Sequence, residues 1–252
     1  MLLSKKSKEW DQQESGFCLE TLTWPEVATR AADTLLVVPL GSTEQHGPHL
    51  PLGTDSVVAN YLAYQLALQR RDILVAPLLP YGSSGEHKDF PGTLSMGAEA
   101  LQLVLVELVR SASLFRGAVL ISGHGGNAES LLAAQERLAA EGRKTVVWWP
   151  RARGVMAGGK GETWDSHAGR IETSIMLALA LELVRTDQME AGCKEPLVNI
   201  WREMRLFGVK SVSPNGVLGD PVGSSAGEGK RILASMLADL MSTVAELWPE
   251  HG

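Results

Sequence analysis

Cysteine is scarce in this chain. Only Cys18 and Cys193 occur among 252 residues, and they form no close pair. Free thiols in a reducing cytoplasm fit that usage better than a structural disulfide. Long hydrophobic runs are missing too. None approaches the roughly 18 residues that span a bilayer, so a membrane is not an expected partner. Positive charge has no surplus: 23 Lys and Arg face 29 Asp and Glu, for a net charge of −6, and no basic patch stands out. Nucleic acid is therefore not an expected partner either. The first ten residues, Met1 to Trp10, lack the apolar core of a signal peptide and read as the start of a loose, charged tail over 1–20. Internal repeats and linkers are absent as well. With 44% hydrophobic and 21% charged residues, positions 21–252 fit one large domain.

What is present is an alternation of strand-like and helical stretches. Leu35–Leu40, Ile73–Ala76, Ala118–Ser122 and Lys144–Trp149 read as buried strands. Helices are expected from Thr54 as cap to about Arg70, from Ser95 as cap to about Leu114, from Asn127 as cap to Ala140, and over about 169–184 and 226–247. Thr23-Trp-Pro-Glu26 looks like a further capped start. The Pro- and Gly-punctuated segment 207–221 suggests turns and short strands, and 150–163 a Gly-rich loop. This βαβα rhythm implies a mostly parallel sheet covered on both faces.

Three stretches gather the side chains that carry chemistry. Glu44, His46, His49 and Asp55 follow the strand at 35–40 within twelve positions. Carboxylates with imidazoles are the donor set of divalent metals. Glu44 and His46, two apart, point the same way on extended chain, and Asp55 falls in the first turn of a helix, where amide dipoles stabilise its charge. Gly123-His124-Gly-Gly-Asn127 leaves the strand at 118–122 and reaches the first stretch if the two strands are neighbours. His167 precedes a helix that carries Glu172 beside an apolar face, and a buried carboxylate there needs a partner. A metal is one; a salt bridge to Arg170 or Arg151 is the other.

Taken together, these stretches resemble the creatininase family: Glu44-Gln-His-Gly-Pro-His-Leu-Pro, Thr54-Asp55, Gly123-His-Gly-Gly-Asn127 and His167-Ala-Gly-Arg-Ile-Glu-Thr-Ser174, with Gly85–Thr93 similar as well. The resemblance spans about 35–245. It implies a three-layer α/β/α sandwich, a dinuclear metal centre, hydrolysis of amide-type C–N bonds and a homo-oligomer. Tyr81–His87, Ser95–Gln102 and Val212–Pro221 further resemble a peptidase branch of the family. That likeness implies a modified precursor peptide as substrate and release of its C-terminal Val-Tyr-derived dipeptide. The other enzymatic reading is a small-molecule amidohydrolase, acting on creatinine or on formamides of purine or flavin precursors. A third is a metal-binding scaffold without catalysis.

The same resemblance assigns roles. Glu44, Asp55 and His124 would bind one divalent ion; His46 and Asp55 would bind the other, with Asp55 bridging. Creatinine amidohydrolase has a ligand glutamate where this chain has Gly126, so Glu172 is expected to complete the second site, and creatinine becomes a less fitting substrate. Zinc, iron(II) and manganese all suit this donor set. The expected reaction is attack on the amide carbon by a hydroxide bridging the two ions. The amides of Gly125 and Gly126 would assist the oxyanion. His167 would protonate the leaving nitrogen, or else orient Glu172 by a hydrogen bond. His87 and Trp164 are expected to line the substrate pocket and His49 to hold its loop. Lys88, Arg170 and Lys160 are candidates for the substrate carboxylate.

Overall fold

The computed structural model describes residues 16–150 and 165–249. Four strands form one parallel sheet: β1 (Leu35–Leu40), β2 (Ile73–Val75), β3 (Gly117–Ser122) and β4 (Thr145–Trp148), in the order β2-β1-β3-β4. Among the described residues eight α-helices accompany them: α1 (Trp24–Ala28), α2 (Thr54–Gln69), α3 (Ala98–Ser111), α4 (Ala128–Ala140), α5 (Arg170–Leu179), α6 (Leu197–Phe207), α7 (Val209–Val212) and α8 (Ala226–Leu247). All six residues of β1 are buried, as expected of a central strand with helices on both faces. Pro39 is tolerated inside it for a local reason. Its carbonyl turns to the β2 side, where it accepts from Leu79 N at 3.0 Å. Its missing N–H would face the same side, and β2 has already ended at Val75.

Alternating side chains feed two cores. Leu35, Val37, Val119 and Ile121 pack with α2, α5 and α8; Leu36, Val38, Leu40, Ala118 and Leu120 pack with α3 and α4. The architecture is the three-layer α/β/α sandwich. Because β1 and β3 pair along their whole length, from Leu35–Gly117 to Leu40–Ser122, the loops that leave their carboxyl ends emerge side by side.

Several local expectations need correction. Neither Thr54 nor Ser95 caps its helix: Gly53 and Gly97 stand there. Thr54 Oγ1 donates back to Pro51 O, and Ser95 Oγ accepts from Ser84 N and Gly97 N. Asn127 precedes α4 without a side-chain cap bond; it accepts from Ser83 N and donates to Gly41 O and Ser122 Oγ, tying three loops together. Segment 207–221 contains the short helix α7 and, for strand-like structure, only an isolated bridge between His167 and Leu218. Of the expected tail, residues 1–15 lie outside the described residues, while Phe17 O accepts from Val75 N at 2.7 Å. Both cysteines are free thiols. No described helix is long and apolar enough to cross a membrane.

Candidate metal and catalytic site

The loop after β1, the first turn of α2, the loop after β3 and the first turns of α5 meet at the carboxyl edge of the sheet, where open α/β sheets bind ligands. The first loop carries Glu44 and His46, both fully buried. Asp55, on α2, is 2% exposed and aims its carboxylate between two imidazoles: Oδ1 is 3.3 Å from His46 Nε2, and Oδ2 is 3.3 Å from His124 Nδ1. His124 Nε2 is 3.2 Å from Glu44 Oε2. Glu172 Oε2, from α5, is 3.9 Å from His46 Nε2. Donor atoms of Glu44, Asp55 and His124 all lie within 4.8 Å of one another, as do those of His46, Asp55 and Glu172. The two sets share Asp55. A further set, Glu44, His46 and His167, meets the same limit.

The chain as a whole is similar to known proteins. The family model described as creatinine amidohydrolase matches residues 20–244. A mycofactocin precursor peptide peptidase of Mycobacterium ulcerans (strain Agy99) is 43% identical over 236 residues, covering 90% of this chain and 87% of that protein. The chain belongs to the creatininase family. Creatinine amidohydrolase of Pseudomonas putida is a more distant member, 32% identical over 196 residues, covering 67% of this chain and 74% of its own. A crystal structure of creatinine amidohydrolase superposes with a TM-score of 0.76 at 25% identity, covering 93% of this chain and 99% of that one. Related creatininase structures include a zinc–zinc form and a manganese form.

In this creatininase-family chain, backbone packing explains why the carboxylates sit where they do. Gly123, at the end of β3, abuts the first turn of α2 so closely that an added Cβ would lie 2.1 Å from Asp55 O. Ser42 Oγ donates to Asp55 Oδ2 at 2.6 Å and fixes that carboxylate's rotation. Ala168, fully buried, adopts φ 52°, a left-handed conformation that costs a non-glycine residue about 1–2 kcal/mol. It thereby presents its N–H to Glu172 Oε2 at 2.6 Å. Gly126 needs its lack of a side chain, since a Cβ there would fall 2.3 Å from His124 Nε2.

Charges in the cluster are mutually dependent. Burial opposes ionisation of Glu44, yet the imidazoles of His124 and His87 outweigh it and hold the pKa at about 2. Burial likewise opposes a charged His46, and the Asp55, Glu172 and Glu44 carboxylates overcome it, raising His46 to about 10. His124 is raised well above the imidazole range against the same burial cost, by Glu44 and Asp55. Glu172 keeps a quarter of its side chain open, at 25%. Burial of the rest, with Asp55 beside it, pushes it up to about 7. His167 moves the other way: burial, then His46 and His87, hold it well below the usual range.

The remaining expected residues divide. His87 is buried, with Nε2 3.5 Å from Glu44 Oε1. His167 Nδ1 is 3.8 Å from the same oxygen, while its Nε2 donates to Gln45 O at 2.8 Å. Glu172 takes its hydrogen bond from Ala168 N. Gly125 and Gly126 form a single 3-10 turn with Asn127 ahead of α4, both exposed. His49 hydrogen-bonds Thr173 Oγ1 through Nε2 at 2.8 Å, and its own carbonyl accepts from Arg185 N. Arg170 is engaged by Glu228 and Lys88 is exposed. Trp164, Lys160 and Arg151 lie outside the described residues. Sequence reasoning passed over Ser42 and Gln45. Gln45 sits inside the first motif and Ser42 two positions ahead of it, and only their polar hydrogens in a buried loop signalled them.

Proposed function

We propose that this chain is a dinuclear metal-dependent peptidase that cleaves the modified mycofactocin precursor peptide, releasing the C-terminal Val-Tyr-derived dipeptide implied by the sequence resemblance. The observation that carries the reading is the pair of three-residue donor sets joined at Asp55. Glu44 fits a cation site particularly well. Both of its carboxylate oxygens are buried, and neither accepts a hydrogen bond; a buried carboxylate so placed is stabilised by a cation. The mixed nitrogen and oxygen donors suit zinc, iron(II) or manganese, and relatives of the family are known in zinc and manganese forms. Glu44, Asp55 and His124 would hold one ion, and His46, Asp55 and Glu172 the other.

When bound, such a pair supplies Lewis acidity to the scissile carbonyl and brings the pKa of a water toward neutrality. The protein's own groups do the rest. Asp55 holds both halves of the site in one register through Ser42. The Gly125–Asn127 turn, opening onto the N-terminus of α4, offers main-chain amides to a developing oxyanion. His87 and His167 are buried beside Glu44, and His167 would pass a proton to the leaving nitrogen. A glycine at 126 in place of a carboxylate supports a substrate other than creatinine. The reading also implies a homo-oligomer working in the cytoplasm, and gel filtration of the purified protein tests the former.

The deciding experiment incubates the metal-loaded protein with the modified precursor peptide and, separately, with creatinine. Mass spectrometry should detect the released dipeptide in the first case and no creatine in the second. Turnover of creatinine with an intact peptide would replace this reading with that of a small-molecule amidohydrolase.

A further inference from the structure

Gln45 lies between the two candidate ligands Glu44 and His46, 5% exposed, and its contacts determine where two nearby imidazoles carry their protons. The orientation of its amide follows from main-chain partners alone. Oε1 accepts from Gly47 N at 2.8 Å, and Nε2 donates to Gly216 O at 3.0 Å; a backbone N–H only donates and a carbonyl only accepts. Gly216 permits this fit, since it has φ +81° and a Cβ there would meet Gln45 Oε1 at 2.0 Å. The second hydrogen on Nε2 points to His87 Nδ1, 2.9 Å away. His87 Nδ1 must therefore be an acceptor, which leaves the proton on Nε2.

His167 Nε2 lies 2.8 Å from the main-chain carbonyl of the same Gln45 and 3.0 Å from its amide nitrogen. Counting hydrogens resolves these two contacts. If His167 Nε2 donates to Gln45 O, the two amide hydrogens serve Gly216 O and His87 Nδ1, and no two donors or two acceptors face each other. If it accepts instead, Gln45 O faces a lone pair at 2.8 Å and one of the other two acceptors loses its hydrogen. The first arrangement is the satisfied one.

We propose that Gln45 is a positioning residue that holds His87 and His167 in the same Nε2–H tautomer but presents opposite faces of them to Glu44, so that His87 offers the site an N–H hydrogen-bond donor and His167 a bare ring nitrogen. His87 Nε2–H faces Glu44 Oε1 at 3.5 Å, and His167 Nδ1 faces the same oxygen at 3.8 Å. A hydrogen-bond partner on one ring nitrogen sets the function of the other. His87 of this tautomer can donate a hydrogen bond to a substrate oxygen but has no second proton to give up, whereas His167, bare at Nδ1, can take a proton and pass it to a leaving nitrogen or face a cation. This assignment deepens the proposed peptidase reading and rests on it only for the identity of the substrate.

The test uses the zinc-loaded protein labelled with 15N-histidine, which contains six histidines. Long-range proton–nitrogen spectra report which ring nitrogen carries hydrogen, and His87→Gln and His167→Gln variants assign the signals. Both rings should show the proton on Nε2. In Gln45→Met, His87 should shift to a mixture of tautomers, whereas His167, anchored by a main-chain carbonyl, should keep its pattern. Turnover of the precursor peptide by Gln45→Met should fall by about 10- to 100-fold in kcat with little change in KM, because His87 loses the hydrogen bond that orients it. A proton on Nδ1 of either ring in the unsubstituted protein overturns the assignment. So does an unchanged His87 signal in Gln45→Met. The spectra need no substrate, so this result is separable from that of the peptide assay.

Discussion

Replacing Gly123 with alanine tests whether packing behind the site, rather than the ligands alone, positions Asp55. The added Cβ would lie 2.1 Å from Asp55 O and 2.8 Å from its carbonyl carbon, short of ordinary contact by more than about 1 Å. Main-chain atoms have no rotamer into which to retreat. The first turn of α2 must move instead, and Asp55 with it. Overpacking of this kind costs about 1–3 kcal/mol. In a chain of this size that is roughly 2–12 °C of Tm, so the variant should still fold. Its effect on the site should be larger, because displacing a reacting geometry by about 1 Å costs on the order of 100-fold. The control is Gly53→Ala, on the other side of the same turn. Gly53 has φ −95° and no atom within 4 Å of its Cβ position. Circular dichroism, thermal melts and metal analysis after dialysis would be read on both. Gly123→Ala should lose metal while keeping its helical signal, and Gly53→Ala should retain metal. Full metal content in Gly123→Ala would refute the argument that β3 fixes Asp55.

Further predictions follow from the charges and contacts. His46 keeps its proton up to about pH 10 in the metal-free site, whereas an unfolded imidazole releases it near about 6.5. That proton stabilises the metal-free fold fully below about pH 6.5, and its contribution fades as pH rises to about 10. A metal must displace it, together with the proton held by His124. Titration calorimetry in buffers of different ionisation enthalpy should therefore show about two protons released per chain near pH 7.5, with affinity rising as pH rises; no proton release would contradict the charge assignment. Ser42→Ala removes the 2.6 Å bond to Asp55 Oδ2 and should weaken metal binding by about 10- to 100-fold without unfolding the protein. Unchanged affinity in a competition assay with a chelator would show that Asp55 is held by other means.

The parts of this molecule that were legible in the sequence are those where one residue type has one dominant physical outcome. The apolar runs at 35–40 and 118–122 became adjacent central strands, and adjacency alone brought Glu44, His46 and His124 together. Asp55 was readable because a helix start follows a Pro- and Gly-rich loop. Helix caps were less legible. Ser95 and Asn127 are both good caps by residue type, yet each found partners in neighbouring loops, where tertiary contacts outweigh a cap bond of about 1 kcal/mol. Helix α6 was missed although Pro196 precedes it and Gly208 follows it, because its buried side is narrow, only Ile200 and Met204. Gln45 was hidden for a different reason. A glutamine between two ligands reads as a spacer until His87 and His167, 42 and 122 positions away, are seen against its amide and carbonyl.

The account stands most directly on one number, the count of divalent ions held by the purified chain. Elemental analysis after exhaustive dialysis should give two per chain for the unsubstituted protein, and a loss of both from Asp55→Asn, since the two donor sets meet at that carboxylate. Fewer than one ion in the former, or undiminished content in the latter, would contradict a shared two-metal centre.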